Sequence, residues 1–314
     1  MSSLNGISTH GGGNGGEIPL KEECISRDQK AEHCNKDSTS FASSSDNSSA
    51  IDAVSDSIER VGISNDNDDD ELFQDPPPKD DCQICFLPIP FSFGVSRIPE
   101  IFMPCCGKVI CGGCVMVSRK EMNKGNLKEW CPFCRTPNHR SHQEIIKRLK
   151  KRMKLNEAAA FLDLGKAYKT GAFGLSKDMN KAFELYIQAA EHGSINAHYM
   201  LAVCFYDEGV KKDEKKAIQH YKIAAIGGHE AARHKLGVIE MSNGNVDRAI
   251  KHYIMAAKSG LDDALKKVGM GYKAGFVTKD DYAATLRAYK STQDELKSKQ
   301  RDEAIAIYNK RLNL

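Results

Sequence analysis

Residues 181–193 read KAFELYIQAAEHG, and the same pattern returns as KAIQHYKIAAIGG at 216–228 and as RAIKHYIMAAKSG at 248–260. The three copies align on Tyr186, Tyr221 and Tyr253, each followed three residues later by an Ala-Ala pair. Between them, AAAFLDLGKAYKTG, INAHYMLAVCFYDEG, EAARHKLGVIEMSNG and DDALKKVGMGYKAG align on Leu164, Leu201, Leu236 and Val268, at steps of 37, 35 and 32 residues. A period of this length predicts a helical-repeat solenoid, in which each helical hairpin buries its apolar face only against its neighbours.

The residue choices within the period have mechanical reasons. Ala160, Ala197, Ala232 and Ala264 fall one turn before the aligned Leu or Val, where a small side chain lets two helices approach closely. Asp178, Asp213, Asn245 and Asp281 are expected as helix N-caps. Gly193, Gly228 and Gly260 are expected at the C-terminal ends of the second helices. The repeated tyrosines and alanines read as core packing, and Cys204 as a small core residue. The fourth unit loses its Ala-Ala after Tyr289, and 281–312 reads as capping helix.

Working toward the N-terminus, SHQEIIKRLKKRMKLNE at 141–157 carries Ile145, Ile146, Leu149, Met153 and Leu155 at helical spacing, with six basic residues between 147 and 154. Ser141 followed by Glu144 predicts a capping box. The helix reads as a rigid connector with one packed stripe and a solvated charged face, in preference to a nucleic-acid contact or a nuclear localisation signal.

Upstream of it the cysteines fall into pairs, CQIC at 82–85, CC at 105–106, CGGC at 111–114 and CPFC at 131–134. Eight sulfurs suit two tetrahedral zinc sites, because C-x2-C is the recurring half-site of structural zinc. A segment this short with few large apolar residues needs such a staple to fold. Adjacent Cys105 and Cys106 can ligate one ion, since neighbouring Cα atoms are about 3.8 Å apart and Zn–S distances near 2.3 Å put two sulfurs about 3.8 Å apart. Gly107 tolerates the bend this requires. Lys108, with a reference pKa near 10.4, is a charge compensator together with Arg119, Lys120 and Arg135. His139 and His142 are the remaining competitors for ligation.

The order Cys82, Cys85, Cys105, Cys106, Cys111, Cys114, Cys131, Cys134, closing in CPFCR, resembles the RING finger in an all-cysteine variant over residues 82–135. The usual C-x-H-x2-C becomes CCGKVIC, and the tryptophan common in the helix after the third pair is missing from VMVSRKEMNK. The resemblance implies a cross-brace, with Cys82, Cys85, Cys111 and Cys114 on one zinc ion and Cys105, Cys106, Cys131 and Cys134 on the other. It further implies that Ile84 and Pro132 bind a ubiquitin-conjugating enzyme, and that Arg135 orients ubiquitin for attack without supplying a nucleophile. The motif A-x3-LG-x2-Y…KA-x3-Y-x2-AA-x2-G is similar to the Sel-1-like repeat, a relative of the tetratricopeptide repeat. That resemblance implies a scaffold for an as yet unknown protein partner or substrate.

The chain is 314 residues long, with 40% hydrophobic and 28% charged residues, which excludes a large multi-domain enzyme. Its net charge of +3 hides an asymmetry, because residues 1–81 carry −12 and the remainder +15. GGGNGG at 11–16, STSFASSSDNSS at 38–49 and DNDDDE at 66–71 keep no apolar period, so residues 1–78 are expected as a disordered acidic tail in which Cys24 and Cys34 remain unassigned. No membrane span and no secretory leader is evident, and the expected setting is intracellular, cytoplasmic or nuclear. A reducing compartment favours metal ligation over disulfides.

The expected fold class is a small zinc-braced RING module (79–140), a basic connector helix (141–155) and an all-α solenoid of Sel-1-like repeats (156–290), with a C-terminal capping helix (291–314). The expected function is a RING-type ubiquitin-protein ligase, whose zinc module recruits the conjugating enzyme and whose solenoid recruits the substrate. The alternative is a non-catalytic zinc-binding adaptor. Nucleic acid is disfavoured as a partner, and no phosphate loop, catalytic triad or paired-carboxylate site has a convincing context.

Overall fold

The computed structural model describes residues 69–91, 100–124, 130–137, 141–206 and 212–312. The tail through residue 68, with Cys24 and Cys34, and the candidate ligand His139 lie outside them. In chain order the elements are α1 (Asp69–Leu72), β1 (Glu100–Met103), β2 (Lys108–Cys111), α2 (Gly112–Lys124), α3 (His142–Met153), α4 (Ala158–Thr170), a 3-10 turn (Ala172–Gly174), α5 (Met179–Glu191), α6 (Ile195–Tyr206), α7 (Glu214–Ile226), α8 (Glu230–Ser242), α9 (Val246–Lys258), α10 (Asp262–Lys273), α11 (Lys279–Glu295) and α12 (Lys299–Leu312). No helix among the described residues is long and apolar enough to cross a membrane.

Helices α4 to α11 form the solenoid. Pairs α4/α5, α6/α7 and α8/α9 pack as hairpins, and each also touches the next. Tyr186, Tyr221 and Tyr253 are buried at their cores, as are Ala160, Ala197, Ala232 and Ala264. The close approach is visible at Gly165 and Gly237, where an added Cβ would lie 2.6 Å from Tyr186 Cε1 and 2.7 Å from Tyr253 Cε1. Cys204 is buried in the same core.

Capping follows the expectation in part. Asp178 and Asp213 are N-caps whose carboxylates accept from the Lys181 and Lys216 amides at 3.0 Å. Asn245 is an N-cap by position, but its side-chain amide donates to Glu240 instead. Asp281 is not a cap. Helix α11 begins three residues earlier, and Thr278 caps it by accepting from the Asp281 amide at 3.1 Å while donating to its carboxylate at 2.7 Å. Spacing from the preceding repeats fails here because α11 has 17 residues against 13 in α5, α7 and α9, and part of the added length extends its N-terminal end. Ser141 starts α3 without a side-chain cap bond, since Glu144 pairs with Arg148. The stretch 281–312 is two helices, α11 and α12, parted at 296–298.

The β1–β2 hairpin joins the cysteine module to the solenoid. Its antiparallel register pairs Ile101 with Ile110 and Phe102 with Val109. Alternation along a strand sends consecutive side chains to opposite faces. Phe102 accordingly joins the solenoid's core, while Ile101 and Ile110 pack in the small core around the cysteines. On α3, Leu149 is buried with Ile145 and Met153 against the solenoid, so the connector helix is docked along its apolar stripe.

Residues 69–78, assigned by composition to the tail, also have a defined path. Leu72 is buried in the solenoid's core and Phe73 packs beside it. Composition weighs only what a segment can bury within itself. Here the burying surface belongs to helices more than 140 residues away, α7 among them.

Candidate metal centres

Two turns of the same form build half of each cysteine cluster. In the first, the Phe86 amide donates to the Cys82 carbonyl at 2.8 Å and the Cys82 amide to Leu87 at 3.0 Å. In the second, the Arg135 amide donates to the Cys131 carbonyl at 2.9 Å and the Cys131 amide to Thr136 at 2.8 Å. Each is closed by an isolated bridge, Asp81 to Pro88 and Trp130 to Pro137. Phe86 and Arg135, directly after the second cysteine of each pair, take φ of 55° and 58°, a region costly for residues with a side chain. These turns aim both sulfurs of a C-x2-C pair at one point.

The partners come from the hairpin and α2. Cys111 ends β2 and Cys114 opens α2, which brings them to Cys82 and Cys85. Cys105 and Cys106 occupy the hairpin bend, where the Cys106 and Gly107 amides both donate to the Met103 carbonyl and Gly107 takes φ of 73°. They meet Cys131 and Cys134. Within each cluster the four Sγ atoms lie inside 4.8 Å of one another. The Cys82–Cys114, Cys85–Cys111 and Cys106–Cys131 separations are 3.9, 3.8 and 3.9 Å, and Cys105–Cys134 is 3.5 Å. These are close to the sulfur spacing of a tetrahedral thiolate site, about 3.8 Å for metal–sulfur bonds near 2.3 Å. Amides of Cys111, Cys114 and Cys134 point at the Cys82, Cys111 and Cys131 sulfurs at 3.4 to 3.5 Å, as donors to thiolates would. Both clusters could therefore hold a metal ion.

The thiols perturb one another strongly. The Cys114 thiol donating to Cys111, against the opposing effect of burial, pulls the Cys111 thiol down to about 4. Burial first, then hydrogen bonding within the cluster, pushes Cys105 up. Crowded thiols cannot all ionise together without a cation among them, so ion binding would release protons.

Two cations distant in sequence also stand beside the clusters. Arg301 of α12 is buried, and its guanidinium donates to the Leu87 carbonyl at 3.1 Å and approaches Cys85 Sγ at 3.7 Å. Arg152 of α3 donates to the Cys105 carbonyl at 2.7 Å and the Pro104 carbonyl at 3.3 Å, and pairs with Glu157 at 2.8 Å. By contrast, Lys108 sits over the Phe133 ring and Lys120 pairs with Glu303. His142 lies in the first turn of α3 against Phe173, outside both clusters. No spacing rule links Arg301 to a cysteine 216 residues earlier. The helical pattern at 299–312 was the sole available hint that something docks there.

Of the other predicted residues, Ile84 is half-buried against the first cluster's core and Pro132 is half-buried in the second turn. Arg135 is exposed, and its side chain makes no hydrogen bond or ion pair among the described residues. Around them Phe86 is 74% exposed, and Phe133 and Trp130 are also solvent-facing. Behind the second cluster, a groove of about 770 Å³ runs between α3 and the hairpin, lined by Cys105, Thr136, Lys147, Lys150, Lys151 and Lys154 among others.

Comparison with known proteins addresses the solenoid. The Sel1 repeat family model matches residues 158–194, 195–229 and 231–261. Among curated proteins the chain is similar to the chitin synthase regulator SKT5 of Saccharomyces cerevisiae, 36% identical over 76 residues, which is 24% of this chain and 11% of that one. It is also similar to chitin synthase regulatory factor 3 of Schizosaccharomyces pombe, 43% identical over 68 residues, 21% of this chain and 7% of that one. The chain thus spans about a tenth of the length of these relatives. Among solved structures it resembles a Sel1 repeat protein from Oxalobacter formigenes, with 26% identity, a TM-score of 0.44, and coverage of 57% of this chain and 71% of the other. A protective antigen of uropathogenic Escherichia coli with an SLR fold matches at 20% identity and a TM-score of 0.39, over 63% of this chain and 44% of the other. The family model thus identifies the helical hairpins from 158 to 261 as Sel1 repeats, which form a helical-repeat solenoid.

Proposed function

We propose that this chain is a non-catalytic adaptor, in which two structural zinc ions brace a RING-like module that is fixed to a partner-binding Sel1 solenoid. The observation that carries the reading is the shared hairpin. Phe102 lies in the solenoid's core while Cys105, Cys106 and Cys111 sit in or beside the same hairpin. A module clamped in this way presents its surface at a fixed position relative to whatever the solenoid holds. The zinc assignment rests on donor chemistry, since four thiolates at tetrahedral spacing select zinc among common intracellular cations. Both curated relatives are named as regulators of another enzyme, the kind of role an adaptor plays.

A second reading, a RING-type ubiquitin ligase, is favoured by one feature. Arg135 follows the eighth cysteine with its guanidinium exposed and unpaired among the described residues, and a planar fork of this kind can bridge two proteins. In that reading Ile84 and Pro132 contact a ubiquitin-conjugating enzyme and Arg135 contacts ubiquitin. Discharge of ubiquitin from a panel of loaded conjugating enzymes onto free lysine, by the zinc-loaded full chain and its Arg135→Ala variant, separates the two. The adaptor reading expects no stimulation by either protein. Stimulation by the wild type that disappears in the variant overturns it in favour of the ligase.

A further inference from the structure

We propose that the groove crossing α7, α8 and α9 is the solenoid's binding site for an extended protein segment, and that residues 72–79 of this chain occupy it in cis, so that a partner enters by displacing them. The proposal deepens the adaptor reading by naming the partner site and its regulation. It rests on that reading only in taking the Sel1 solenoid as a partner-binding surface.

The segment LFQDPPPK is held by the solenoid and hardly at all by itself. The Gln74 amide donates to the carbonyl of Glu71, just before the segment, at 3.3 Å. The Leu72 carbonyl accepts from Arg233 Nη1 at 2.6 Å, while Arg233 Nη2 is anchored on the Ala225 carbonyl at 2.8 Å. The Phe73 ring lies 4.8 Å from the His252 ring, with Arg248 and Lys251 over its faces at 5.6 and 5.4 Å. Pro76 rests against Gly228, where a Cβ would come within 3.2 Å of the proline's own Cβ. Lys79 pairs with Glu230 and reaches the Ser259 carbonyl. Three anchors, an aromatic, a proline and a cation, therefore follow at three-residue intervals after the helical turn of α1, and the Leu72 main-chain carbonyl is read just before the first of them.

The anchoring groups break the repeat. Arg233 holds the position that Phe161, His198 and Leu265 hold in the other units, one residue after the invariant-register alanine of each. Glu230 holds that of Ala158, Ile195 and Asp262. Packing of the hairpin needs neither charge, yet Arg233 is 2% exposed and Glu230 1%. Buried charges demand partners; the helices supply Arg233 with the Ala225 carbonyl and the Met255 sulfur, but its Leu72 acceptor and the cation beside Glu230 come from outside them. Arg233 and Glu230, three apart on α8, lie on one helical face, with nothing but residues 72–79 supplying the Leu72 acceptor and the Lys79 cation. A displacing segment must replace both. That specifies its chemistry, an extended stretch with an apolar-aromatic pair, prolines behind it, and a lysine or arginine six residues after the aromatic. Prolines suit the role because their polyproline conformation is already extended before binding.

The test uses a fluorescent peptide of residues 69–80, DDELFQDPPPKD, and the full chain carrying Leu72→Asp with Phe73→Asp. The expected result is at least tenfold tighter binding to this variant than to the wild type, whose groove is already filled. Adding Arg233→Gln to the variant should weaken binding at least tenfold again. Equal peptide binding by wild type and variant, with helical circular dichroism unchanged, overturns the proposal, as does indifference to Arg233→Gln. If the double variant does not fold, Lys79→Glu serves instead. It removes the Glu230 partner from the cis segment alone, and the same ordering against wild type is expected, with equality again decisive against it. None of these outcomes depends on ubiquitin, so the discharge assay and this one fail separately.

Discussion

Cys105 and Cys106 divide the work of one half-site between adjacent residues, which only a bent backbone allows. Two amides converging on the Met103 carbonyl and a left-handed Gly107 supply that bend. Cys105→Ser or Cys106→Ser should then cost one metal ion of two by native mass spectrometry of the full chain, leaving the Cys82, Cys85, Cys111, Cys114 cluster loaded. Retention of both ions in either variant would remove the Cys105–Cys106 pair from the site. At this scale the cysteine pairs were legible in the sequence because C-x2-C pairs are local, and their grouping into two clusters followed from a family resemblance that the sulfur positions match. The arginines were not legible. Arg301, Arg152 and Arg233 act on groups 214, 47 and 161 residues away, and each looks like an ordinary surface cation until the chain is folded.

The repeat was readable as an element because every hairpin solves the same packing problem with the same residues. Where a unit departs from its neighbours, the register stops being a guide, as the move of the α11 cap from Asp281 to Thr278 illustrates. The helix-to-helix contact makes a sharper prediction. Gly165, Ala202, Gly237 and Gly269 share one register, immediately after the aligned Leu or Val. At Gly237 a methyl group would meet Tyr253 Cε1 at 2.7 Å, whereas at Gly269 the nearest atom is the Tyr282 hydroxyl at 3.5 Å. Ala202 carries that methyl in the second unit, so the obstruction belongs to the ring positions of Tyr186 and Tyr253 and not to the repeat as such. Gly237→Ala should destabilise the chain by about 1–3 kcal/mol through overpacking. Gly269→Ala should stabilise it by about 0.5–1 kcal/mol, the usual gain from removing glycine inside a helix. Urea denaturation of the two variants checks the opposite signs, and a shared sign would mean that ring contact does not govern this register.

Over the whole molecule the last helix returns to the cysteine module. Helix α12 packs on α2, where Gly113 leaves room for the Arg301 backbone at a distance that a Cβ would reduce to 3.2 Å, and Lys120 pairs with Glu303. Arg301 then spans from the Leu296 carbonyl, just before its own helix, to Leu87 and Cys85 in the first cysteine turn. The solenoid's end and the first cysteine cluster therefore support one another, though nothing in the sequence connects residues 82–88 with 299–312. Removing the ions should show this. With the ligands released, the Cys82–Leu87 turn loses the force that holds its strained Phe86 backbone, and Arg301 loses a buried acceptor, a change of about 1–3 kcal/mol for a hydrogen bond of this kind. Hydrogen exchange with and without chelator should find that 299–312 loses protection together with 82–88, while the repeats at 195–261 keep theirs. The Arg301→Ala variant, still metal-loaded, should lose protection at 299–312 alone. If chelation leaves 299–312 unchanged, the contact with α2 suffices to hold α12, and the metal site and the solenoid's end are energetically separate despite touching.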